Sequence, residues 1–75
     1  MTKLEMLKEI GVGLNCNKSD KQNEEDLKFA MKRSKATIEY AYNIFTKALQ
    51  DLRNKKICFD TYRAIQQSAY ISMIY

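Results

Sequence analysis

An apolar or small residue recurs along the middle of the chain at alternating steps of four and three positions. This spacing places the recurring residues on one face of an α-helix, as a heptad-like seam. The seam consists of Leu27, Met31, Ser34, Ile38, Ala41, Phe45, Ala48 and Leu52. It predicts one long central helix from Ser19 or Asp20 to about Asn54, with a break near Ser34–Lys35 as the main alternative. The unbroken helix would be about 50 Å long at 1.5 Å per residue, which favours packing against another subunit.

A shorter helix is predicted at the start of the chain. Thr2 followed by Glu5 three positions later is a capping-box pattern, in which each side chain satisfies the backbone N–H of the other residue. The apolar stripe of this segment is Leu4, Leu7 and Ile10, with Met6 beside it. Gly11 is typical of the end of a helix, and the residues that follow, up to position 18, are predicted to form a loop.

The C-terminal segment also has helical periodicity. Residues 54–59 are predicted to form a turn, and Asp60 is predicted to cap a helix from about Thr61 to Ile74. The core stripe of this helix is Tyr62, Ile65, Ala69 and Met73. The β-branched and aromatic tail could instead form a strand, but the chain has no second strand for it to pair with.

Together these segments predict an all-α protein in one domain, residues 1–75. The short N-terminal helix and its loop occupy residues 1–18, and the long central helix and the C-terminal helix form a helical hairpin over residues 19–75. A chain of this length buries only about 60% of its unfolded surface, and its core rarely supplies more than roughly 3–5 kcal/mol. With Cys16 and Cys58 as the only cysteines and no histidine, neither a disulfide framework nor a zinc site is expected. Association into a dimeric bundle is then the remaining source of stability.

Candidate catalytic groups are sparse in this sequence. Nucleophilic catalysis usually needs an adjacent base, most often histidine, and the acidic residues cluster at positions 20–26, where the helix dipole already favours negative charge. We therefore expect no enzymatic activity, no catalytic or metal-binding residue and no cofactor. The start of the chain lacks a signal-peptide pattern, and the longest uncharged run, Ala64 to Tyr75, is too short to span a bilayer. We expect a cytoplasmic protein with no membrane partner.

The net charge of +4 makes a small basic nucleic-acid-binding protein the alternative function. One face of the predicted long helix carries Lys28, Lys32, Lys35 and Arg53, which could follow a phosphate backbone. Glu39 interrupts this face, and such a charge run is more typical of a solvated helix surface. Lysines also outnumber arginines, unlike in proteins that read bases through bidentate arginine contacts.

The last feature is a surplus of apolar residues outside the predicted core. A second apolar row flanks the seam of the long helix, and the C-terminal helix has a second stripe at Ala64, Ile71 and Tyr75. Because aromatic and arginine side chains are enriched at interfaces, the candidate contact residues are Phe29, Arg33, Tyr40, Ile44, Tyr70, Ile71, Ile74 and Tyr75. We therefore predict a non-enzymatic protein–protein interaction module that is a small intracellular regulator, inhibitor or adaptor of another protein and that self-associates. A purely structural helical bundle is the third alternative.

Overall fold

The computed structural model describes all residues from 1 to 75 and confirms the all-α class. It contains four helices: α1 (Lys3–Ile10), α2 (Asp20–Met31), α3 (Lys35–Arg53) and α4 (Phe59–Ile74). No strand is present, so the C-terminal tail is helical, as predicted. The helices pack into a body of 36 × 28 × 19 Å.

The prediction of one long central helix is wrong, and the alternative break near residue 34 is correct. α2 ends at Met31, and Ser34 has an extended backbone before α3 begins. Ser34 is the N-cap residue of α3, because its hydroxyl oxygen accepts a hydrogen bond from the backbone N–H of Thr37 at 3.2 Å. An unbroken helix of about 50 Å would also exceed the longest dimension of the body, which is 36 Å. Because of the break, α2 does not continue along the axis of α3, and it packs instead on α1 and α4.

The predicted seam divides at this break. Its buried members in α3 are Ile38, Ala41, Phe45 and Ala48, as predicted. In α2, by contrast, Ala30 is fully buried, whereas Met31 of the predicted seam is exposed. Leu27 of the predicted seam still packs against the core, so within α2 the seam fails only at Met31, where the helix ends.

α1 ends in a Schellman motif that carries an apolar loop residue into the core. Gly11 has a left-handed φ of 108°, and the backbone N–H of Val12 donates to the carbonyl of Leu7 at 2.9 Å. This motif commonly brings the two apolar side chains together, and both Leu7 and Val12 are fully buried. Gly13 follows with a φ of 81°, and a Cβ atom there would lie 3.3 Å from the Cβ atom of Leu27. The two glycines thus fix the path from α1 to α2.

α1 and α4 are the two helices that each contact all three others. Three of the five largest fully buried side chains, those of Leu7, Ile10 and Val12, come from α1 and its turn. Polar contacts extend this packing, because the Lys3 ammonium donates to the carbonyl of Arg33 at 3.2 Å. α1 is thereby joined both to the core and to the break between α2 and α3.

α4 begins before the predicted position, and Asp60 is not its N-cap residue. Cys58 takes that position with an extended backbone, and Phe59 is the first helical residue. α4 packs most extensively on α3, where the ring of Tyr62 lies 6.1 Å from the ring of Phe45 between centroids. The turn between α3 and α4 is therefore shorter than the sequence indicated.

Replacing Ser34 with alanine should change the free energy of unfolding in opposite directions for a broken and for an unbroken helix. We expect Ser34→Ala to lower the free energy of unfolding by about 1 kcal/mol, because it removes the cap of α3. In an unbroken helix the same change would raise stability, since alanine is the better helix former. Urea unfolding followed by circular dichroism measures the difference. Asn43→Ala, at an exposed position inside α3, is the control and should not destabilise the protein, because alanine is the better helix former.

The N-cap position of Cys58 gives a prediction about its reactivity. The Cys58 Sγ atom lies 3.2 Å from the hydroxyl oxygen of Thr61, and this hydrogen bond lowers the pKa of the thiol below its ordinary value of 9.0. Because the thiolate is the reactive form, alkylation by iodoacetamide should reach half its maximal rate below pH 9.0. Thr61→Val removes the hydroxyl and should raise that midpoint. Mass spectrometry of samples alkylated across a pH series tests this, and an unchanged midpoint would contradict it.

Candidate protein-interaction surfaces

A shallow groove of about 220 Å³ separates the exposed side of α3 from α4. We call it the α3–α4 groove, and its lining residues are Thr37, Tyr40, Ile44, Ser68, Ala69, Ser72 and Met73. Tyr40 is 70% exposed and Ile44 is 39% exposed. The groove therefore presents apolar and aromatic side chains from α3 opposite two serines of α4.

The outer face of α4 carries no charge over its last three turns. No Lys, Arg, Asp or Glu occurs between Ala64 and Tyr75. On this face Ile71 is 50% exposed and Tyr75 is 83% exposed. Ser68 and Ser72 are exposed as well and belong to both this face and the α3–α4 groove. We call the two together the uncharged surface, and its four large exposed side chains are Tyr40, Ile44, Ile71 and Tyr75.

A larger groove of about 500 Å³ lies between loop residues 14–18 and another side of α4. We call it the loop–α4 groove. Besides the loop it is lined by Ile10, Gly11, Arg63, Gln66, Gln67, Tyr70, Ile71, Ile74 and Tyr75. The only charged side chains among all those that line it are those of Lys18 and Arg63, and no Asp or Glu is present. This groove is consequently a mixture of apolar, amide and cationic groups.

An ion pair that shares a tyrosine hydroxyl connects the loop to α2 and α4. The Lys18 ammonium lies 2.7 Å from a carboxylate oxygen of Asp26, and the Tyr70 hydroxyl donates to the same oxygen at 2.9 Å. The hydrogen bond from Lys18 lowers the pKa of the Asp26 carboxyl below its ordinary value of 3.8, and the same bond raises the pKa of Lys18. Burial, and then the hydrogen bond to Asp26, raises the pKa of the Tyr70 hydroxyl. The cluster holds the loop wall of the loop–α4 groove in place.

The eight predicted contact residues lie in three places rather than one. Four of them are the large side chains of the uncharged surface, and two of these, Ile71 and Tyr75, also line the loop–α4 groove. Tyr70 and Ile74 are half-buried and line the loop–α4 groove, where the hydroxyl of Tyr70 is already bonded to Asp26. Phe29 and Arg33 line neither groove, and the guanidinium carbon of Arg33 lies 5.1 Å from the centroid of the Phe29 ring. The break between α2 and α3 separates this last pair from the others.

The predicted row of cations is not continuous in the structure. Lys28 and Lys32 belong to α2 and its C-terminal end, Lys35 is the first residue of α3, and Arg53 is the last residue of α3. Lys28 and Lys35 each pair with a glutamate four positions away, at 3.1 and 3.8 Å. Along α3, Lys35 and Arg53 are about 27 Å apart at 1.5 Å per residue. The sequence argument for one row assumed an unbroken helix, whereas in the structure the four residues are divided between two helices and their ends.

Sequence reasoning identified Tyr70, Ile71, Ile74 and Tyr75 on the α4 side of the loop–α4 groove, but it missed Lys18, Arg63 and the other residues that complete this groove. Lys18 and Tyr70 are 52 positions apart, and no spacing pattern connects Asp26 or Arg63 to them. Val12 was missed as well, although its pattern gives a signal. An apolar residue directly after the glycine that ends a helix is the usual partner of a Schellman motif.

Comparison with known proteins finds no matching family model, no matching curated protein and no matching solved structure. None of the four helices combines the length and the apolar character needed to cross a membrane. No three side chains of His, Cys, Asp or Glu gather where they could hold a metal ion. Function is therefore inferred from the two grooves and the uncharged surface.

The ion pair of Lys18 and Asp26 makes stability depend on pH. Because the pKa of Asp26 is lowered on folding, its stabilisation is present above pH 3.8 and is lost as the pH falls through the lower folded value. We expect Asp26→Asn to lower the free energy of unfolding by about 1 kcal/mol at neutral pH, a value reduced by partial exposure. The difference from the unmodified protein should shrink below pH 3.8.

Urea unfolding at a series of pH values measures this dependence. Glu25→Gln is the matched control, because Glu25 is exposed on the same helix and is in no ion pair. Its effect should be small and should not change with pH. An Asp26→Asn difference that is the same at acidic and neutral pH would contradict the prediction.

Proposed function

We propose that this chain is a non-enzymatic protein–protein interaction module, a small intracellular regulator, inhibitor or adaptor of another protein that also self-associates. The observation that carries this proposal is the uncharged surface, on which Tyr40, Ile44, Ile71 and Tyr75 are exposed. In this proposal α3 and α4 act as a helical hairpin that presents the surface to a partner.

The exposed area favours a binding role. A tyrosine side chain offers roughly 150–250 Å², so Tyr40 and Tyr75 alone leave roughly 300 Å² in contact with water. The largest apolar patch on a typical monomer measures about 300–600 Å² and is often functional. With Ile44 and Ile71 added, the uncharged surface falls within that range.

A second copy of the chain is the first partner that we propose for this surface. A stable interface buries about 800 Å² on each partner, and in a twofold dimer the same surface meets itself. A surface charged with a single sign would then place like charges opposite each other. The outer face of α4 avoids this repulsion, although the chain as a whole carries a net charge of +4.

The nucleic-acid alternative has weaker support. A polyanion is bound best by several free cations along its path. Two of the four predicted cations, Lys28 and Lys35, are paired with carboxylates, and Arg53 lies at the far end of α3. We therefore retain protein binding as the proposed function.

Self-association gives the direct test of this proposal. We expect a dimer in the micromolar range, and we expect Tyr40→Glu to weaken it by at least about tenfold, because the change would bury an unpaired carboxylate. Sedimentation equilibrium across micromolar concentrations measures both dissociation constants. Gln50→Glu is the matched control, since Gln50 is an exposed residue of α3 outside both grooves. It should associate as the unmodified chain does.

A chain that stays monomeric at every concentration would refute self-association. Thermal unfolding of Tyr40→Glu then separates two explanations. A stable monomer would mean that the uncharged surface is free for a different protein. A marked loss of stability would mean that the side chain is needed within the fold, and the proposal would lose its basis.

A further inference from the structure

We infer that the loop–α4 groove binds an acidic, extended peptide segment of a partner protein. This inference rests on the proposed protein-binding function. It concerns a groove distinct from the α3–α4 groove, although its α4 wall shares Ile71 and Tyr75 with the uncharged surface. Its basis is that an unpaired cation, uncommitted side-chain amides and exposed apolar side chains all line the same groove.

The charge of the groove selects an anionic ligand. Its two cations differ, because the Lys18 ammonium is paired with Asp26 at 2.7 Å, whereas Arg63 is exposed and takes part in none of the three ion pairs of the structure. No Asp or Glu side chain lines the groove to compete for Arg63. A guanidinium binds a carboxylate through two parallel hydrogen bonds. One carboxylate of a ligand is therefore matched to Arg63.

The amides of the groove select a polypeptide backbone. Asn15, Asn17, Gln66 and Gln67 all line it. The side chains of Asn17 and Gln67 make no hydrogen bond within the protein, and that of Gln66 makes one long contact, 3.5 Å from its Nε2 atom to the carbonyl of Ile10. Each side-chain amide offers both a donor and an acceptor. An extended segment exposes both of its backbone groups, whereas a helix has already paired them.

Apolar side chains along the groove complete the match. Leu14 of the loop is 62% exposed, and Ile71 of α4 is 50% exposed. Successive side chains of an extended segment point to opposite sides. Apolar side chains of the segment can therefore contact Leu14 and Ile71, while an acidic side chain contacts Arg63. A nucleic acid fits less well, because one unpaired cation neutralises only one phosphate. The expected ligand is a short segment with an aspartate or glutamate close to aliphatic or aromatic residues.

A displayed library of short random peptides, selected on the immobilised full chain, tests this inference. We expect the enriched peptides to carry at least one acidic residue beside an apolar one. The best of them, synthesised with a fluorescent label, is then titrated with the chain and with its variants by fluorescence polarisation. Arg63→Glu should weaken binding by at least about tenfold, and Gln67→Ala by about fivefold, since it removes one amide.

Two controls keep the result specific. Lys47→Glu makes the same change of charge at an exposed position of α3 outside both grooves, and it should alter binding by less than about twofold. A peptide in which lysine replaces the acidic residue should bind the Arg63→Glu chain more tightly than the original chain. Circular dichroism checks that each variant is folded.

Several outcomes would overturn the inference. The inference fails if no peptide is enriched over the bare support, or if the enriched peptides lack acidic residues. It also fails if Arg63→Glu leaves peptide binding unchanged. Binding that is lost in Tyr40→Glu but kept in Arg63→Glu would place the peptide on the α3–α4 groove, and then the proposed function stands while this inference fails. If no peptide binds but a labelled oligothymidine binds and loses affinity in Arg63→Glu, the groove binds phosphate groups and the inference fails. Conversely, peptide binding by a chain that never dimerises would support the inference without self-association.

Discussion

The burial of Leu7, Ile10 and Val12 against the other three helices is the interaction on which the rest of the structure depends. Burying three side chains of this size contributes about 6 kcal/mol before the conformational entropy lost on folding is subtracted. α1 itself has eight residues, too few to remain helical alone in water. The helix therefore exists because it is packed, and the other helices are stable because it fills the space between them.

Features set by neighbouring residues could be predicted from the sequence. Thr2 and Ser19 cap their helices, and Gly11 ends α1, because each acts within one turn of its own position. The break at Ser34 was harder to predict, since an apolar seam that continues and a serine that can start a new helix are conflicting local signals. The conflict is decided by packing, which places Ala30 in the core together with residues of α1, α3 and α4. No local pattern contains that information.

The candidate surfaces were predictable only in part, for the same reason. The surplus apolar stripes of α3 and α4 follow from periodicity, so Tyr40 and Ile71 were identified as contact residues. Which stripes become neighbours depends on how the helices pack, and Phe29 therefore lies apart from them. The loop–α4 groove itself was not predicted, although Tyr70, Ile71, Ile74 and Tyr75 of its α4 wall were among the candidate contact residues. The loop wall was missed because the two walls meet only through the turn at Gly11 and the ion pair of Lys18. Residues of that kind have no shared spacing in the sequence.

The central position of α1 also determines when the molecule can form. The residues of α1 leave the ribosome before those of any other helix, yet Ala69 and Met73 of α4 belong to the same core cluster. Contacts between residues so far apart in sequence cannot form until nearly all of this chain has been made. In the finished fold this apolar first segment packs on α2 and α3 as well as on α4, so its burial is complete only after α4 has been made. The core is consequently completed by the last of the four helices to be synthesised.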